Sequence, residues 1–455
     1  MSAPADAMSL RGTLRRSERL AERRIHGWAG EVSLADLARG TALGGAAAAL
    51  AGRSVLLRVA DPLYAAIALV EFDGVASRIV LSPPDLQDEA LPGVVLQAGI
   101  EAAVTDGAEP IAGLPTHRLA LPVQLQDSPP AAIASEWVMF TSGTSGPPKM
   151  VIHTLAALTG AIKPAAAGAP PPVWGTFYDI RRYGGLQILL RALFGEGSLA
   201  ITAPDEPMPD FLTRVAAVGV THLTGTPSHW RRVLMTPQSR ALSPAYVRLS
   251  GEIADQAVLD ALKARFPGAP IGHAYASTEA GVGFEVNDGL AGFPADYVGR
   301  AGDVALRVVD GALQVKSARA SSGYVDGRTL AGDDGFVDTG DMVELRGERY
   351  HFVGRRGGVI NVGGLKAHPE EIEAVINAHP AVRMSRVSGR RSPITGAIVA
   401  AEVVLHDPGA DEAAAREGIL AACRERLAPF KVPAMLRFTP SLPMTAGGKL
   451  ERAVG

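Results

Sequence analysis

Apolar residues in the first third of the chain follow two different spacings. Residues 34–50 and 62–70 carry them at the three- and four-residue intervals of a helix, whereas residues 54–59 and 78–81 form short continuous runs typical of buried strands. Helices that alternate with strands favour βαβ units and therefore a mainly parallel sheet. The pattern predicts that this region opens an α/β domain.

The alternation continues and then gives way to a different pattern. A predicted strand over residues 137–140 runs into a polar loop, a predicted helix follows over 155–162, and helices and strands alternate as far as about residue 270. From residue 303 to 353, short apolar runs are separated by turns. This last stretch predicts a small β unit.

A glycine-dense stretch between residues 357 and 364 separates roughly the last hundred residues from the rest. Beyond it the elements alternate again, with a strand predicted over 397–405 and a helix over 411–427. We predict a large N-terminal domain, residues 1–354, of mainly parallel α/β sheets plus the small β unit. A small, mobile α+β domain, residues 355–455, follows it.

The composition of the 455-residue chain narrows the classes of function. Hydrophobic residues make up 47% and charged residues 20%, which allows a sizeable core, and the net charge of −3 argues against a nucleic-acid binder. The single cysteine, Cys423, excludes an intrachain disulfide and a cysteine-only metal cage. No uncharged apolar run approaches the roughly 18 residues of a membrane span, so we predict a soluble, cytoplasmic protein.

Six arginines near the N-terminus depart from this charge balance. They are interleaved with Glu18 and Glu22 and lack an apolar core, which argues against a targeting segment. We interpret the cluster as the solvated face of a helix. The arginines are Arg11, Arg15, Arg16, Arg19, Arg23 and Arg24.

The loop of residues 141–149 has the composition of a phosphate site. Its glycines let backbone N–H groups approach anionic oxygens, and its hydroxyl groups and lysine add donors and positive charge. It is not a Walker A loop, which needs four residues between its glycine and its Gly-Lys-Ser/Thr. A plain turn is the alternative interpretation. The candidate residues are Thr141, Ser142, Gly143, Thr144, Ser145, Gly146 and Lys149.

This loop resembles the phosphate loop of the adenylate-forming superfamily, which comprises acyl-CoA synthetases, non-ribosomal peptide adenylation domains and luciferases. Four further stretches match the superfamily in the expected order, so the resemblance covers nearly the whole chain. The pattern of motifs is closest to that of AMP-forming acyl- or aryl-CoA ligases. The length also resembles that of the short o-succinylbenzoate-CoA ligases, although no pocket residue fixes that assignment.

The second matching stretch is residues 275–279. An aromatic ring, a hydroxyl and a carboxylate at this spacing could stack a purine, bind a phosphate and hold a hard cation. The resemblance implies that Tyr275 stacks on adenine, Thr278 contacts the α-phosphate and Glu279 helps to hold Mg²⁺. The superfamily usually has glycine where this chain has Ala276. In the alternative interpretation, Glu279 only caps a neighbouring helix.

The third and fourth stretches are implied to contact the sugar and to form a hinge. Asp341 would accept hydrogen bonds from the ribose hydroxyls, and Arg355 would contact ribose or phosphate. The usual hinge acid falls on Gly357, and glycine can absorb a large change in backbone angles. An ordinary interdomain linker remains the alternative. The residues implied to face the incoming thiol are Gly363, Gly364 and Lys366.

The fifth stretch, residues 443–449, ends on Lys449. A lysine on a glycine-flanked loop can move into a distant site, where its ammonium offsets the negative charge that gathers when a carboxylate attacks the α-phosphate. The match implies that Lys449 is the adenylation lysine. A frayed, solvated tail is the alternative interpretation.

The acid pocket is implied to be lined by three segments of the N-terminal domain. Arg181 or Arg182 occupies the place where many relatives carry histidine, and a planar guanidinium would suit a second carboxylate. The alternative is that both arginines lie on a helix surface. The implied pocket residues are Tyr178, Arg181, Arg182, Gly185, Thr226, Ala274 and Gly281, with Gly251 and Glu252 beside the nucleotide.

Together these features predict an AMP-forming acid–thiol ligase that uses ATP, Mg²⁺ and coenzyme A on a small carboxylic acid. A free-standing adenylation enzyme that loads a carrier protein is the nearest alternative. A non-catalytic nucleotide- or acyl-binding protein is a further one. We expect no nucleic-acid partner, and homodimer formation is left open.

Overall fold

The structure is a computed structural model that describes residues 9–451, except 112, 126–132, 142–147, 164–167, 393–395 and 446–447. Helices and strands are numbered in chain order. The helices are α1 (Leu10–Arg15), α2 (Leu34–Arg39), α3 (Pro62–Phe72), α4 (Leu91–Ala98), α5 (Leu155–Thr159), α6 (Tyr183–Phe194), α7 (Met208–Ala217), α8 (Pro227–Met235), α9 (Gln256–Arg265), α10 (Pro369–Asn377) and α11 (Glu412–Arg426).

Two large, mainly parallel sheets form most of the N-terminal part. The first has the order β16-β15-β14-β13-β11-β12-β1-β2 and the second β20-β10-β9-β5-β4-β6-β7. Strands of the first sheet are β1 (Arg24–His26), β2 (Glu31–Ser33), β11 (Val173–Thr176), β12 (Ser198–Ile201), β13 (His222–Gly225), β14 (Tyr246–Ser250), β15 (Ile271–Ser277) and β16 (Gly281–Val286). Strands of the second are β4 (Ser54–Leu57), β5 (Arg78–Leu81), β6 (Ala102–Thr105), β7 (Thr116–Arg118), β9 (Glu136–Phe140), β10 (Met150–Thr154) and β20 (Gly323–Tyr324).

The remaining strands form three smaller sheets. The small β unit has the order β17-β22-β21-β19-β18, with β17 (Phe293–Pro294), β18 (Val304–Val309), β19 (Ala312–Ser317), β21 (Val337–Arg346) and β22 (Arg349–Arg355). The C-terminal sheet has the order β24-β23-β26-β25 with β27 beside β26, where the strands are β23 (Ile360–Val362), β24 (Leu365–Ala367), β25 (Val382–Ser392), β26 (Gly396–Leu405) and β27 (Met435–Phe438). A short pair joins β3 (Gly40–Thr41) to β8 (Gln124–Leu125).

Burial explains how these layers stack. The largest core contains Leu186 and Leu190 of α6 together with Leu199 of the first sheet and Ile79 of the second, so α6 lies between the two large sheets. The opposite face of the first sheet packs against α7, α8 and α9. The C-terminal elements have a separate core. The predicted α/β class, with a small β unit and a small α+β C-terminal part, is confirmed.

The predicted helix over residues 34–50 is wrong. α2 ends before Gly40, which pairs with Leu125 in a two-stranded sheet. A side chain at Gly40 would meet the Gln124 carbonyl oxygen at 2.6 Å. After another break the chain forms tight turns over Gly44–Leu50. Tertiary pairing at a glycine therefore overrides the helical spacing of the surrounding alanines.

The arginine cluster is also not a uniformly solvated helix face. α1 ends at Arg15, and the side chains of Arg11 and Arg23 are buried. The Arg23 guanidinium donates hydrogen bonds to the carbonyl oxygens of Ala192 and Leu193 at 2.9 and 2.7 Å. These carbonyls belong to the last turn of α6, whose acceptors have no partner within the helix. Arg23 therefore caps α6 from another part of the chain.

No helix within the described ranges is both long and apolar enough to cross a membrane.

Candidate active site

The candidate phosphate loop joins two antiparallel strands. β9 pairs with β10 from Phe140 and Met150 outward, and the Thr141 N–H donates to the Lys149 carbonyl oxygen at 3.0 Å. The sequence pattern missed β10, whereas the predicted helix over 155–162 begins where α5 begins, at Leu155. A strand–loop–strand arrangement also separates this loop from the strand–loop–helix of a Walker A site. Ser142, Gly143, Thr144, Ser145 and Gly146 lie outside the described residues, so their predicted role stays a prediction.

The turn that carries Thr278 and Glu279 is fastened beside β10. His153, in that strand, donates through Nε2 to the Thr278 carbonyl oxygen at 2.7 Å. Burial lowers the pKa of His153 to about 4, against the opposing effect of that hydrogen bond, so the ring is neutral near pH 7. The Ser321 N–H donates to the Glu279 carbonyl oxygen at 2.9 Å. Two distant segments therefore hold the backbone of Thr278 and Glu279 beside β10, the strand that follows the candidate phosphate loop.

Asp341 is the meeting point of two other candidate residues. The Tyr275 hydroxyl donates to one of its carboxylate oxygens at 2.7 Å, and Arg355 Nε donates to the other at 2.8 Å. The Asp341 N–H donates to Thr339 Oγ1 at 3.1 Å, which fixes the turn. The structure thus brings Tyr275, Asp341 and Arg355 together, as the motifs predicted.

The Tyr275 ring belongs to an aromatic group in the small β unit. It stacks on Phe352 with ring centroids 5.2 Å apart and on Phe284 at 5.5 Å. Burial and the nearby Asp341 carboxylate raise the pKa of the Tyr275 phenol well above its usual value. Ala276 is partly buried against the main core. The tyrosine is therefore a rigid, neutral aromatic surface at the edge of the site.

Lys449 reaches the site from the C-terminal part of the chain. A Cβ added to Gly251 would lie 3.2 Å from Lys449 Cε and 3.7 Å from Nζ, so the lysine side chain passes directly over this glycine. Burial lowers the pKa of Lys449, as do Arg355 and Arg182, while Glu252 and Asp341 raise it. The ammonium therefore shares one electrostatic environment with the candidate ribose site.

The Lys449 loop is anchored at both ends. On its own side, Leu442, Met444 and Leu450 pack against Met384 and Val404. On the opposite side, the Leu450 N–H donates to Glu252 Oε1 at 2.8 Å. The loop is thus neither frayed nor solvated at this point, contrary to the alternative interpretation of the sequence.

The hydroxyl of Thr226, predicted to line the acid pocket, contacts the same loop. Thr226 Oγ1 donates to the Gly448 carbonyl oxygen at 3.0 Å. The Thr226 side chain also begins α8 as its N-cap, accepting from the His229 N–H. The structure therefore uses Thr226 to hold the backbone of the lysine loop.

The structure places the two candidate pocket arginines differently, and the prediction for Arg182 stays a prediction. Arg181 is 1% exposed and its guanidinium is fully engaged by the Asp179 carboxylate and by the carbonyl oxygens of Val59 and Ala60. A buried guanidinium with these partners has no free edge for a substrate carboxylate, so this part of the prediction is wrong. Arg182 pairs with Asp85 and lies close enough to Lys449 to lower the pKa of that lysine.

The remaining residues predicted to line the acid pocket contact other parts of the protein. The Tyr178 hydroxyl contacts the Ser250 side chain and carbonyl oxygen, each at 3.0 Å. At Gly185 and Gly281 a side chain would overlap neighbouring backbone atoms. Ala274 is buried beside Ser250, its partner on β14. Close packing therefore accounts for the two glycines, and the Tyr178 hydroxyl is bonded to β14.

Three predicted thiol-facing residues are not brought to Lys449 in this arrangement. Gly363 and Gly364 form the turn between β23 and β24, and Lys366 follows it in β24. All three are exposed to solvent. Gly357, at the predicted hinge, is also exposed, and a side chain there would meet no atom within 4 Å.

The sequence patterns missed a polar stripe on α6. Tyr183, Gln187 and Arg191 recur at four-residue intervals in an otherwise apolar helix, which places them on one face. Two of them have a buried polar atom without a hydrogen-bond partner among the described residues, Gln187 Oε1 and Arg191 Nε. Such atoms are uncommon in native proteins and call for a ligand or water. The recurrence of polar residues every four positions in an otherwise apolar helix is the sequence signal that could have identified this stripe.

A second group of polar and charged residues that the sequence analysis did not identify lies on β14 and β16. Arg248 and the hydroxyl of Tyr246 both contact the Glu285 carboxylate. Burial and Arg248 lower the pKa of Arg191 to about 10, while Glu285 and Tyr246 raise it. No described carboxylate lies within 4 Å of Arg191. Within the described ranges, Glu285 therefore forms an ion pair with Arg248 alone, and it acts on Arg191 only from a distance.

Comparisons with known proteins agree with this geometry. A family model described as AMP-binding enzyme matches residues 68–325, and one described as AMP-binding enzyme C-terminal domain matches residues 371–449. The mitochondrial acyl-coenzyme A synthetase ACSM2 of Rattus norvegicus is 28% identical over 360 residues, which cover 70% of this chain and 60% of that protein. The alignment thus spans less than two thirds of the rat protein.

Two further similarities point the same way. The 2-succinylbenzoate–CoA ligase of Salmonella typhimurium is 28% identical over 356 residues, or 74% of this chain and 73% of that protein. Among solved structures, o-succinylbenzoate CoA synthetase (MenE) from Bacillus subtilis, in complex with the acyl-adenylate intermediate OSB-AMP, superposes with a TM-score of 0.72. That alignment has 20% identity and covers 96% of each chain, which shows a shared fold.

Proposed function

The chain belongs to the AMP-binding enzyme family, and on this premise we propose that it is an AMP-forming acid–thiol ligase. It activates a carboxylic acid with ATP to an acyl-adenylate and then transfers the acyl group to coenzyme A. The observation that carries the proposal is the docked loop, which places Lys449 over Gly251 in the electrostatic environment of Asp341. A protein that only binds a nucleotide has no need of such a lysine.

The resemblance to adenylate-forming enzymes is confirmed by the family models, which match both the N-terminal and the C-terminal part of the chain. The names of the rat and Salmonella relatives support coenzyme A as the acceptor. The solved complex with OSB-AMP supports an adenylate intermediate on this fold. We propose a domain division near residues 354 and 355, supported by the separate core that begins at Ile360.

In the first half-reaction, a carboxylate oxygen of the acid forms a bond to the α-phosphorus of ATP. The bond between that phosphorus and the oxygen leading to the β-phosphate breaks, and pyrophosphate leaves. The Lys449 ammonium offsets the negative charge that these oxygens share in the transition state. Asp341 accepts hydrogen bonds from the ribose. Because Tyr275 and Arg355 each occupy only one lone pair of its oxygens, acceptor capacity remains.

Glu279 fits the donor chemistry of a magnesium site. The described residues contain no group of three His, Cys, Asp or Glu side chains that could hold a metal by themselves. Mg²⁺ at a nucleotide site needs only one or two carboxylates because phosphate oxygens and water complete its shell. We propose that Glu279 holds the ion, which would supply positive charge to the phosphates. Thr278 contacts the α-phosphate beside it.

In the second half-reaction, the coenzyme A sulfur forms a bond to the acyl carbon. The bond from that carbon to the phosphate oxygen breaks, AMP leaves, and the thiol proton passes to solvent. We propose that the C-terminal domain rotates about the exposed Gly357. That motion would withdraw Lys449 and present the hairpin with Gly363, Gly364 and Lys366 to the thiol.

The acid itself is proposed to carry a second anionic group. Neighbouring residues in paired strands point to the same side of a sheet. Arg248 is the partner of Gly272, and Glu285 is the partner of Ala274, so these two charged side chains meet across β15, over its small residues. A Cβ added to Gly272 would lie 2.5 Å from Tyr246 Oη, so that tyrosine also packs over the strand.

The region around this ion pair has an excess of positive charge. Arg191 of α6 and Arg248 of β14 are opposed by Glu285 alone, and Arg191 Nε is buried without a partner. We propose that the second carboxylate of a short dicarboxylate pairs with Arg191, whose Nε has no partner of its own in the part of the chain that the structure describes. This replaces the assignment to Arg181, whose guanidinium is already used.

Acid-dependent exchange of labelled pyrophosphate into ATP tests the activity. Wild-type protein should show exchange with some acids, and Lys449→Met should lower its rate by about 10²–10³-fold because one positioned charge is lost. Lys263→Met, which removes an exposed lysine elsewhere, should have no effect. ATP binding without exchange for any acid would favour a binding protein. Transfer to holo-carrier protein but not to coenzyme A would favour the carrier-loading alternative.

Matched acids test the second anionic group. Succinate, glutarate and adipate should be better substrates than butanoate, pentanoate and hexanoate. Arg191→Met should raise the KM for the dicarboxylates by about 10- to 100-fold, the range expected for a lost charged hydrogen bond, and should leave the monocarboxylates nearly unchanged. Arg240→Met removes an exposed arginine and is the control. Equal effects on both classes of acid would exclude this use of Arg191.

A further inference from the structure

The loop that carries Lys449 is held by its backbone and not by its lysine side chain. Thr226 Oγ1 donates to the Gly448 carbonyl oxygen at 3.0 Å, and the Leu450 N–H donates to Glu252 Oε1 at 2.8 Å. The two contacts lie on either side of Lys449. The backbone is thereby fixed while the ammonium remains available to the substrates.

Glu252 is itself a rigid acceptor. The Ser228 N–H donates to Glu252 Oε2 at 2.9 Å, and Ser228 Oγ donates to Oε1 at 3.1 Å. Ser228 lies in the first turn of α8, where the helix dipole favours a carboxylate. Because both oxygens are already oriented, Glu252 can receive the Leu450 N–H without further ordering.

Thr226 has one hydroxyl hydrogen and two neighbouring acceptors. Besides the Gly448 carbonyl oxygen, His229 Nδ1 lies 3.0 Å from Thr226 Oγ1. Burial lowers the pKa of His229 to about 3, so the ring is neutral. Its Nδ1 already accepts from the Thr226 N–H at 3.2 Å. The hydroxyl hydrogen is therefore available for the loop, while Oγ1 still caps α8.

We propose that Thr226 and Glu252 are positioning residues that dock the Lys449 loop for adenylation and release it for thioester formation. The inference rests on the proposed two-step function. Both contacts join the C-terminal loop to the N-terminal part of the chain, so they exist only while the loop is docked. Loss of either contact should slow the first half-reaction and spare the second.

The threonine contact has a matched control in the same protein. Thr226→Val removes the hydroxyl and should slow acid-dependent pyrophosphate exchange by about 5- to 10-fold, the range for one hydrogen bond. Thr226→Ser keeps the hydroxyl and should retain the wild-type rate. Thr154 caps α5 through the same type of bond, to the Ala157 N–H at 3.1 Å. Thr154→Val therefore reports the loss of a helix cap alone and should leave exchange unchanged.

The carboxylate is tested by Glu252→Gln. An amide has a single acceptor oxygen and turns an NH₂ group towards the Ser228 or Leu450 N–H, so exchange should fall by about 10- to 100-fold. Thioester formation from chemically synthesised acyl-adenylate and coenzyme A should stay within about twofold of wild type for each variant. This second measurement is insensitive to docking but sensitive to a general loss of structure.

Two results would overturn the proposal. One is a Thr226→Val protein that behaves like Thr154→Val in pyrophosphate exchange. The other is a Glu252→Gln protein in which both half-reactions slow equally. Failure of the proposed function would look different, because wild-type protein would then show no acid-dependent exchange at all.

Discussion

The clearest test of the docked arrangement is a single methyl group at Gly448. Its φ angle is +69°, a conformation that costs a residue with a side chain about 1–2 kcal/mol. The added Cβ would overlap the His229 imidazole. That ring cannot swing away, since it is 6% exposed, stacks on Phe177 at 5.3 Å and holds the Thr226 N–H through Nδ1.

The two effects give an expected magnitude for Gly448→Ala. Overpacking a rigid site adds about 1–3 kcal/mol to the backbone strain, so the docked state should lose about 2–5 kcal/mol. Acid-dependent pyrophosphate exchange should therefore fall by at least about 30-fold. The loss should not exceed that of Lys449→Met, because an undocked loop can remove no more than the contribution of its lysine.

A second glycine in the same domain provides a control that separates the cost of backbone strain from that of the steric overlap with His229. Gly396 has a φ angle of +74°, and a side chain there would meet no atom within 4 Å. Gly396→Ala carries the backbone cost alone and should leave the exchange rate near the wild-type value. His229→Ala, combined with Gly448→Ala, should recover part of the lost activity. Exchange by Gly448→Ala within about twofold of wild type would refute the docked geometry.

Two further predictions concern buried charges. Arg181→Ala should lower the free energy of unfolding by about 3–5 kcal/mol in urea titrations, because it leaves the Asp179 carboxylate buried without its partner; a selective loss of dicarboxylate activity with unchanged stability would contradict it. Burial raises the pKa of Asp73, which accepts hydrogen bonds from Leu10 N–H and Trp137 Nε1, to about 7. Since the folded state then binds the proton more tightly than the unfolded one, stability should fall between pH 3.8 and about 7 by on the order of 1 kcal/mol per pH unit. Asp73→Asn should abolish this slope, and an unchanged slope would refute the assignment.

Local patterns predicted many elements within a few residues. Asp61 and Pro62 begin α3, and the apolar run of 78–81 is β5 with the bounds expected. Both signals depend on residues close in the sequence. The helix over 34–50 failed because Gly40 pairs with Leu125, a contact that no local window contains.

For the candidate site, too, the predictions from local motifs succeeded and those that depended on distant contacts failed. The motifs predicted that Tyr275, Asp341 and Arg355 share one ligand, and the structure places them in hydrogen-bonding contact. The arginine assignment failed because Arg181 meets carbonyl oxygens 122 and 121 positions away. The sequence alone does not distinguish an arginine that binds a substrate from one that pairs with buried groups of the protein, because both can lie close to a pocket motif.

The sequence by itself determined the family of this protein, because phosphate, ribose and carboxylate chemistry each require particular residue types in a short, ordered stretch. Only the tertiary structure decided how those stretches are joined and which charges stay free. The Thr226–Gly448 and Glu252–Leu450 contacts span 222 and 198 positions. Whether a polar side chain serves a ligand or satisfies another buried group depends on such distant partners, since most buried polar atoms in a folded protein are paired.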